Sequence, residues 1–330
     1  MKVKFVLLIL GFLACAQKML PPSPDRFSPR LEEIEVQNRT KINIKFNEEI
    51  ELKAISQDSF LITTTDLETL LIKEMSVGRK SNVITLITEK QSPVLYSFQA
   101  KVSDLTGNRA KVQTKFLGSI VKDTIPPRIL EISPKLGAIK LKKNIRIGLR
   151  FSEEIDTILP VEWVILPKAI SSRYTTNWQS DHRHLTFSMA DSLGADTVVY
   201  FVLLRSVFDF EGNRITYPGF NFFTSDSLLN TKLVTGKVTD KNEPLRDGFV
   251  LFSKTADSNQ TMAIIPIDTA GTFSIQIREG VYDVTALADT NFDNRIDLCG
   301  EIQVFNTTAE TLLIEVYPDT LEQTLDWYLR

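Results

Sequence analysis

Ile44-Lys-Phe-Asn-Glu-Glu-Ile-Glu51 recurs later in the chain as Leu149-Arg-Phe-Ser-Glu-Glu-Ile-Asp156. Asp104-Leu-Thr-Gly-Asn-Arg109 likewise recurs as Asp209-Phe-Glu-Gly-Asn-Arg214. The two repeats share one offset, because 151 − 46 and 209 − 104 are each 105. Two motifs that keep one offset over this distance predict two copies of a single domain of about that length.

Hydrophobic residues around these motifs recur with a period of two. Ile42, Ile44 and Phe46 alternate with polar residues, as do Phe273, Ile275 and Ile277. Such alternation is typical of strands with one buried face. The continuous apolar run Val198 to Leu204 predicts a central strand, and long amphipathic helices are absent from the pattern. The chain is therefore expected to be all-β.

The second copy carries an ordered set of short motifs that resembles a known family. The set is Asp123-x-x-Pro126-Pro127, Phe151-Ser-Glu-Glu-Ile155, Asp209-x-x-Gly212-Asn213 and Phe223-Thr-Ser225. This order resembles the bacterial Ig-like domain known from an S-layer protein, which implies a β-sandwich of roughly 100 residues. We assign residues 30–119 and 120–225 to the two Ig-like domains. The first keeps the glutamate pair and the Asp-x-x-Gly-Asn turn but lacks the Pro-Pro lead-in.

The region after the second copy does not continue the repeat. It contains Leu233-Val-Thr-Gly236, Asp268-x-x-Gly271-x-Phe273 and Gly280-Val-Tyr-Asp-Val284. This order resembles transthyretin-like domains of the carboxypeptidase-regulatory type, which implies a third sandwich over residues 232–330, after a linker at 226–231. The expected fold is therefore all-β, with tandem Ig-like β-sandwiches followed by a C-terminal transthyretin-like β-sandwich.

The N-terminus reads as an export signal. Lys2 and Lys4 precede the apolar run Phe5 to Ala14, and Cys15 follows directly. The run is shorter than the ~20 residues that span a bilayer, so it predicts a signal peptide at 1–14. Phe12 to Cys15 resembles the lipobox of bacterial lipoproteins, which implies lipid attachment at Cys15. A plain signal peptidase site remains the alternative.

Further features near the N-terminus indicate where in the cell the protein is located. The chain has 2 cysteines, so acylation of Cys15 leaves Cys299 unpaired, whereas a Cys15–Cys299 bridge would leave the signal segment unexplained. Residues 15–29 are rich in proline and predict an extended tether. Ala16 is not the aspartate that often retains lipoproteins at the inner membrane, which favours the outer membrane of the cell envelope.

The charge balance narrows the class of partner. Lys plus Arg is 38 and Asp plus Glu is 41, for a net charge of −3, and basic residues form no block. A nucleic-acid partner is therefore not expected. The predicted partners are the membrane, through lipidated Cys15, and an envelope protein or glycan.

One loop in the third region suggests calcium. Its oxygen-bearing side chains fall at alternating positions, as in calcium loops: Asp289, Asn291, Asp293 and Asp297, with Glu301 one place late for the terminal acid. The alternative is a hairpin loop stabilised by its own side-chain-to-backbone hydrogen bonds. No other cofactor is expected.

The remaining candidate groups favour structural roles. Glu48-Glu49 and Glu153-Glu154 resemble acid/base pairs for glycoside cleavage, but both copies carry them at the same strand end. His182 and His184 would share one face of a strand and could bind a metal, but a polar hairpin end is the favoured interpretation. Hydrolase and phosphate-loop motifs are absent. We therefore expect a non-enzymatic adhesion or scaffold protein, or alternatively an accessory protein of a carbohydrate-active or envelope-assembly system.

Overall fold

The computed structural model describes residues 25–325, except 79–80, 142–145, 167–173, 190–196, 205–206, 225–230, 255–259, 292, 294, 308–310 and 322. The predicted signal peptide, Cys15 and most of the predicted tether and linker lie outside these residues. In the described part of the chain, no helix is both long and apolar enough to cross a membrane.

The first copy is a seven-stranded sandwich. Two antiparallel sheets have the orders β1-β2-β5-β4 and β3-β6-β7, the arrangement of constant-type immunoglobulin domains. Its strands are β1 (Leu31–Val36), β2 (Lys41–Phe46), β3 (Phe60–Thr64), β4 (Ile72–Val77), β5 (Val83–Thr88), β6 (Leu95–Ser103) and β7 (Arg109–Leu117). Two short 3-10 turns, Leu52–Ala54 and Gln57–Ser59, precede β3.

The second copy repeats this order. Its sheets run β8-β9-β12-β11 and β10-β13-β14, so each strand has a counterpart in the first copy. The strands are β8 (Ile129–Ser133), β9 (Arg146–Phe151), β10 (Trp163–Leu166), β11 (Tyr174–Trp178), β12 (His184–Met189), β13 (Val198–Leu203) and β14 (Gly219–Thr224). The tandem Ig-like sandwiches expected from the repeated motifs are confirmed.

The repeated motifs tie one end of each sandwich together. Phe46 and Phe151 are buried in the two cores, and the isoleucine after each glutamate pair bridges the turn aspartate, Ile50 to Asp104 and Ile155 to Asp209. One carboxylate oxygen of each aspartate accepts hydrogen bonds from two backbone N–H groups of its own turn. These aspartates therefore close the turn, as a turn-capping role predicts.

The structural similarity between the copies includes Asp25 in the first copy and Asp123 in the second. The Asp25 carbonyl accepts a hydrogen bond from the Asn108 side chain at 3.1 Å, and Asp123 accepts one from Asn213 at 3.1 Å. Arg30 and Arg128 donate their backbone N–H groups to the residue after β2 and after β9, respectively. The first copy therefore has a lead-in after all, although one proline of the pair is a serine.

The C-terminal region is a third β-structure. β15 pairs in parallel with β22 and antiparallel with β19 and β16, while β20 pairs with β17 and β21, and β17 with β18. The strands are β15 (Thr231–Asp240), β16 (Glu243–Pro244), β17 (Phe249–Lys254), β18 (Thr261–Pro266), β19 (Thr272–Arg278), β20 (Val281–Ala288), β21 (Leu298–Asn306) and β22 (Thr311–Pro318).

Strand β13 is buried on both faces, which explains its continuous apolar sequence. Val199, Phe201 and Leu203 pack inside the second copy. Val198, Tyr200 and Val202 face the other way and join the core of the third sandwich. The Tyr200 hydroxyl donates to the Gln276 carbonyl at 2.9 Å across this contact. The outward face of the second copy therefore completes the core of the third sandwich, and this common cluster is called the shared core.

Leu166 tests this shared core, since it is fully buried where β10 meets the third sandwich. Leu166→Ala is expected to lower the free energy of unfolding by about 2–5 kcal/mol. Because the core is shared, calorimetry should show the second and third sandwiches losing stability together. The half-exposed Leu130 gives the control, Leu130→Ala, with little effect. A third-sandwich transition that stays unchanged in Leu166→Ala would contradict the shared core.

Candidate functional site

The most densely built polar site lies where the two Ig-like copies meet. The turn between β1 and β2 of the first copy, residues 37–40, and Lys41 at the start of β2 reach the end of the second copy that carries the glutamate pair. They contact the glutamate pair after β9 and the Asp209 turn, while the tip of the β11–β12 hairpin contacts β4 of the first copy. We call this site the junction.

Glu154 lies at the centre of the junction. Its Oε2 accepts from Lys41 Nζ at 2.8 Å, and its Oε1 accepts from Arg183 Nη2 at 2.7 Å. The Glu154 side chain is 3% exposed and that of Lys41 9%. A buried carboxylate is tolerated only when it is paired, and here the pairing cation comes from the other copy. Glu154 therefore links the two domains.

A second ion pair lies beside the first. Arg39 binds Glu211 through two nitrogens, with Nη2 to Oε2 at 2.7 Å and Nε to Oε1 at 3.1 Å. Thr40 Oγ1 donates to the same carboxylate at 2.8 Å. A bidentate arginine–carboxylate pair fixes orientation as well as distance. The first copy has Thr106 at the position equivalent to Glu211, so this contact belongs to the second copy alone.

The hairpin tip covers an edge strand of the first copy. The Val77 backbone N–H on β4 donates to the Ser180 carbonyl at 3.0 Å, and Ser76 Oγ donates to the Asp181 carbonyl at 2.9 Å. An exposed strand edge otherwise offers unpaired backbone groups to other chains. The tip therefore pairs with the last residue of this edge strand and adds a backbone contact to the ion pairs.

The histidines are part of this tip rather than of a strand face. His182 lies in the turn with φ +52°, and β12 begins only at His184. His182 Nε2 is 3.9 Å from Glu74 Oε1 of the first copy, whereas His184 Nδ1 is 2.6 Å from Asp181 Oδ2. The two rings therefore have different partners, and the polar hairpin end agrees with this geometry.

Carboxylates gather at equivalent places in both copies. Asp25, Glu48 and Asp104 come within 4.8 Å of one another in the first copy, as do Asp123, Glu153 and Asp209 in the second. Among the described residues, these are the groups of acidic side chains whose oxygens could together hold a hard cation such as calcium. The predicted calcium loop is not among them, and neither group was predicted.

The two glutamates of the second copy titrate in opposite directions. Burial, together with Asp123, Asp209 and Glu154, raises the pKa of Glu153 to about 7 against the opposing effect of Lys41. Burial also acts to raise the pKa of Glu154, but the charges of Lys41 and Arg183 outweigh it and lower the value. At neutral pH Glu154 is therefore ionised in its pair, while Glu153 is poised to exchange a proton.

The predicted calcium ligands are only partly brought together. Asn291 Nδ2 lies 3.3 Å from Asp293 Oδ2 and 3.4 Å from Asp297 Oδ1. Asp289 Oδ1 accepts the Asp293 backbone N–H at 3.2 Å. Glu301 lies within β21, opposite Thr285, three residues beyond the strand's start and so roughly 10 Å along it. The side chains of the loop therefore lie near one another, whereas Glu301 lies farther along β21.

The alternative interpretation of the same loop has direct contacts. Asp297 Oδ2 accepts from the Thr290 backbone N–H at 2.7 Å and from its hydroxyl at 2.6 Å. These hydrogen bonds, led by that of the Thr290 hydroxyl, lower the pKa of Asp297. The side-chain-to-backbone hydrogen bonds of a plain hairpin loop are therefore present, and calcium binding by the loop stays a prediction.

Comparison with known proteins supports the Ig-like assignment of the second copy. Residues 123–224 match the family model described as a bacterial Ig-like domain. The second copy is similar to bacterial Ig-like domains. No curated protein sequence matches the chain.

Solved structures with similar folds have low identity to the chain. Domains 1–6 of the surface layer protein SbsC are 11% identical over 85% of this chain and 41% of that chain, with a TM-score of 0.31. Latent PorU from Porphyromonas gingivalis is 11% identical over 87% and 34%, with a TM-score of 0.28. The MG0-NIE-MG1 fragment of alpha-2-macroglobulin from Escherichia coli is 9% identical over 84% of this chain and 97% of that fragment, with a TM-score of 0.25. The chain spans 44%, 41% and 58% of the length of three S-layer SbsC chains that it matches, less than two thirds in each case.

The basic half of the junction was missed by sequence reasoning. Arg39 and Lys41 stand at an ordinary strand start, and only their place against the other copy gives them a role. One signal was available: the copies differ at Glu211 and Arg183, whose counterparts in the first copy are Thr106 and Asn82. Charged residues present in one copy alone indicate a contact that only that copy makes.

Lys41→Met tests the buried ion pair. Removal of one partner leaves Glu154 with Arg183 alone, and the free energy of unfolding is expected to fall by about 3 kcal/mol, as for other broken buried pairs. Lys45→Met is the matched control, because Lys45 pairs with Glu32 on the surface at 47% and 44% exposure. There the loss should stay below about 1 kcal/mol. Urea unfolding measures both variants. Equal losses in the free energy of unfolding would show that the junction pair contributes no more than a surface ion pair.

Glu153 gives the junction a pH dependence of defined sign. A carboxyl whose pKa is raised on folding contributes stability that is complete below its unfolded value and is lost as pH rises through the folded value, here about 7. Stability of the natural chain relative to Glu153→Gln is therefore expected to fall between pH 5 and pH 8. Urea unfolding across that range measures it, with exposed Glu49→Gln as the control. A difference that stays constant with pH would contradict the assignment.

The calcium prediction is testable on the full chain. Calcium is expected to release or absorb heat in titration calorimetry and to raise the unfolding midpoint, because bound ligand stabilises the folded state. Asp297→Asn should abolish this response, whereas Glu301→Gln should keep it, since Glu301 lies away from the loop. Asp25→Asn and Asp123→Asn show whether a calcium response comes instead from the acidic groups around Asp25 and Asp123. No heat and no shift would leave the plain hairpin loop.

Proposed function

We propose that this chain is a non-enzymatic, lipid-anchored protein of the cell envelope that presents a stiff row of β-sandwiches as a scaffold or adhesion module. The observation that carries the proposal is that both contacts between neighbouring domains are built interfaces. The first is the junction around Glu154 and the second is the core shared through β13.

The chemistry of these contacts supports a mechanical role. Flexible linkers let domains move independently, and their interfaces are usually small and polar. Here one contact buries paired charges and pairs with the end of an edge strand, and the other buries aromatic and aliphatic side chains. Holding three domains in fixed orientation is useful to a protein that positions a binding surface at a set distance from its anchor.

The anchor is proposed at Cys15. The cysteine directly follows the apolar run that ends at Ala14, and acyl chains on it would hold the mature chain at a membrane. We place this membrane as the outer one, on the strength of Ala16. The proposed transthyretin-like character of the third sandwich adds a compact end domain, with calcium as its proposed structural ion.

A protein partner is favoured over a glycan by the positions of the tryptophans. Glycan sites commonly use exposed aromatic faces. Trp163 instead packs edge-on against Tyr174 at 5.2 Å and Phe187 at 5.0 Å, and Trp178 packs against Phe151 at 5.7 Å. Both therefore support the core of the second copy, and Trp327 lies outside the described residues.

Mass spectrometry of the mature N-terminus tests the anchor. The natural chain is expected to begin at Cys15 with the added mass of acyl chains and to partition with membranes. Cys15→Ser should move it to the soluble envelope fraction, whereas Cys299→Ser should not. An unmodified N-terminus at another residue would contradict lipid attachment.

Pull-down from envelope extracts tests the scaffold role. One stoichiometric protein partner, retained by the natural chain and lost with Lys41→Met, would support a scaffold that depends on its fixed domain arrangement. Strong glycan-array binding without a protein partner would instead support the accessory carbohydrate role.

A further inference from the structure

We propose that the outward face of sheet β3-β6-β7 in the first copy docks onto an anionic phospholipid surface. The face, here called the basic face, consists of the outward side chains of the three strands. They are Leu61, Thr63, Leu95, Ser97, Gln99, Lys101, Ser103, Arg109, Lys111, Gln113, Lys115 and Leu117.

The basic face carries cations without anions. Lys101, Arg109, Lys111 and Lys115 are exposed on it, and none of its outward side chains is acidic. None of these cations forms an ion pair with the other described residues. The opposite sheet differs, since exposed Glu32, Glu33 and Glu35 lie on β1. The first copy is therefore polarised across its thickness.

Two of the cations oppose each other directly. Lys101 on β6 is the register partner of Lys111 on β7. Like charges at directly opposed positions destabilise a sheet, with side chains about 5 Å apart at Cβ. A chain with a net charge of −3 thus concentrates positive charge where it costs stability. That arrangement suits a face that meets an anionic partner.

The equivalent face of the second copy is already an interface. There the outward residues of β10 and β13 are apolar and pack against the third sandwich. The first copy keeps the same sheet uncovered and replaces the apolar residues with lysine, arginine and glutamine. The same docking face is therefore reused, and its altered chemistry selects a partner of opposite charge.

A lipid surface fits the rest of the basic face. Leu61, Leu95 and Leu117 are exposed on it, the last at 65%. Exposed leucines beside lysines combine apolar burial at the acyl boundary with attraction to anionic headgroups. An acidic protein would need only the charges. The leucines are therefore the feature that favours a membrane.

The position of the face in the chain agrees with this partner. The Asp25 carbonyl is bound by Asn108, the residue before Arg109, so the chain enters the first copy beside the basic face. Asp25 lies ten positions after Cys15, a span of at most about 35 Å. This placement rests on the proposed anchor at Cys15, whereas the charge pattern does not.

Vesicle sedimentation of the full chain in its Cys15→Ser form tests the basic face apart from lipidation. Binding to phosphatidylglycerol-containing vesicles is expected, weakening with salt, with far weaker binding to pure phosphatidylcholine. Lys101→Gln with Lys111→Gln should reduce affinity about 30-fold, from the usual gain per basic residue at an anionic membrane. Lys53→Gln with Lys73→Gln, on exposed residues elsewhere in the first copy, is the matched control and should keep affinity.

The unfolding midpoint separates lost docking from lost folding. Because the Lys101–Lys111 repulsion is removed, the double variant is expected to unfold at the same or a higher temperature. Arg109→Gln with Lys115→Gln gives a second, independent loss of affinity. Equal binding by the two pairs of variants and their control, or no binding to anionic vesicles, would overturn the proposal whether or not Cys15 is acylated.

Discussion

The buried carboxylate of Glu154 is the constraint on which the domain arrangement depends. A charge that is 3% exposed must be neutralised by a partner held in place, and here one partner, Lys41, belongs to the neighbouring domain. If the two copies separated, Glu154 would lose half of its pairing. The free energy of that unpaired charge therefore favours one orientation of the copies, and Arg39, bound to Glu211, fixes the rotation about it.

The two contacts between neighbouring domains are stabilised by different interactions. Between the copies, charges and a covered strand edge give a directional contact that responds to pH through Glu153. Between the second copy and the third sandwich, the contact is mainly apolar burial, which has little directional preference. Tyr200 contributes both kinds of interaction, because its ring lies in the core while its hydroxyl donates to the Gln276 carbonyl. Among the described residues, each domain therefore contacts its neighbour through named side chains.

Local sequence patterns predicted the Ig-like sandwiches but could not predict the contacts between domains. The motifs around Phe46 and Asp104 have fixed local roles in closing a strand end, so their repetition predicts two copies. The run Val198 to Leu204 predicted a central strand, but not that its second face belongs to another domain. Arg39 and Lys41 carry no pattern at all, since a salt bridge across domains depends on where the domains lie.

The loop predicted to bind calcium shows the same limit in a different form. Asn291, Asp293 and Asp297 lie near one another because they share one short loop, and their spacing in the sequence indicates as much. Spacing could not show that Glu301 lies in β21, away from the loop. Nor could it show that Asp25 and Asp123 lie beside acidic residues distant in sequence. Chain geometry beyond a single turn decides those contacts.

The central claim is that the three sandwiches form one stiff row, and a distance between its ends tests it most directly. Spin labels at Lys73→Cys on the first copy and Gln303→Cys on the third sandwich, with Cys15→Ser and Cys299→Ser, report that distance by double electron–electron resonance. Both positions are exposed. A single narrow distance distribution is the predicted result. A broad distribution of distances would show independent domains and contradict the account.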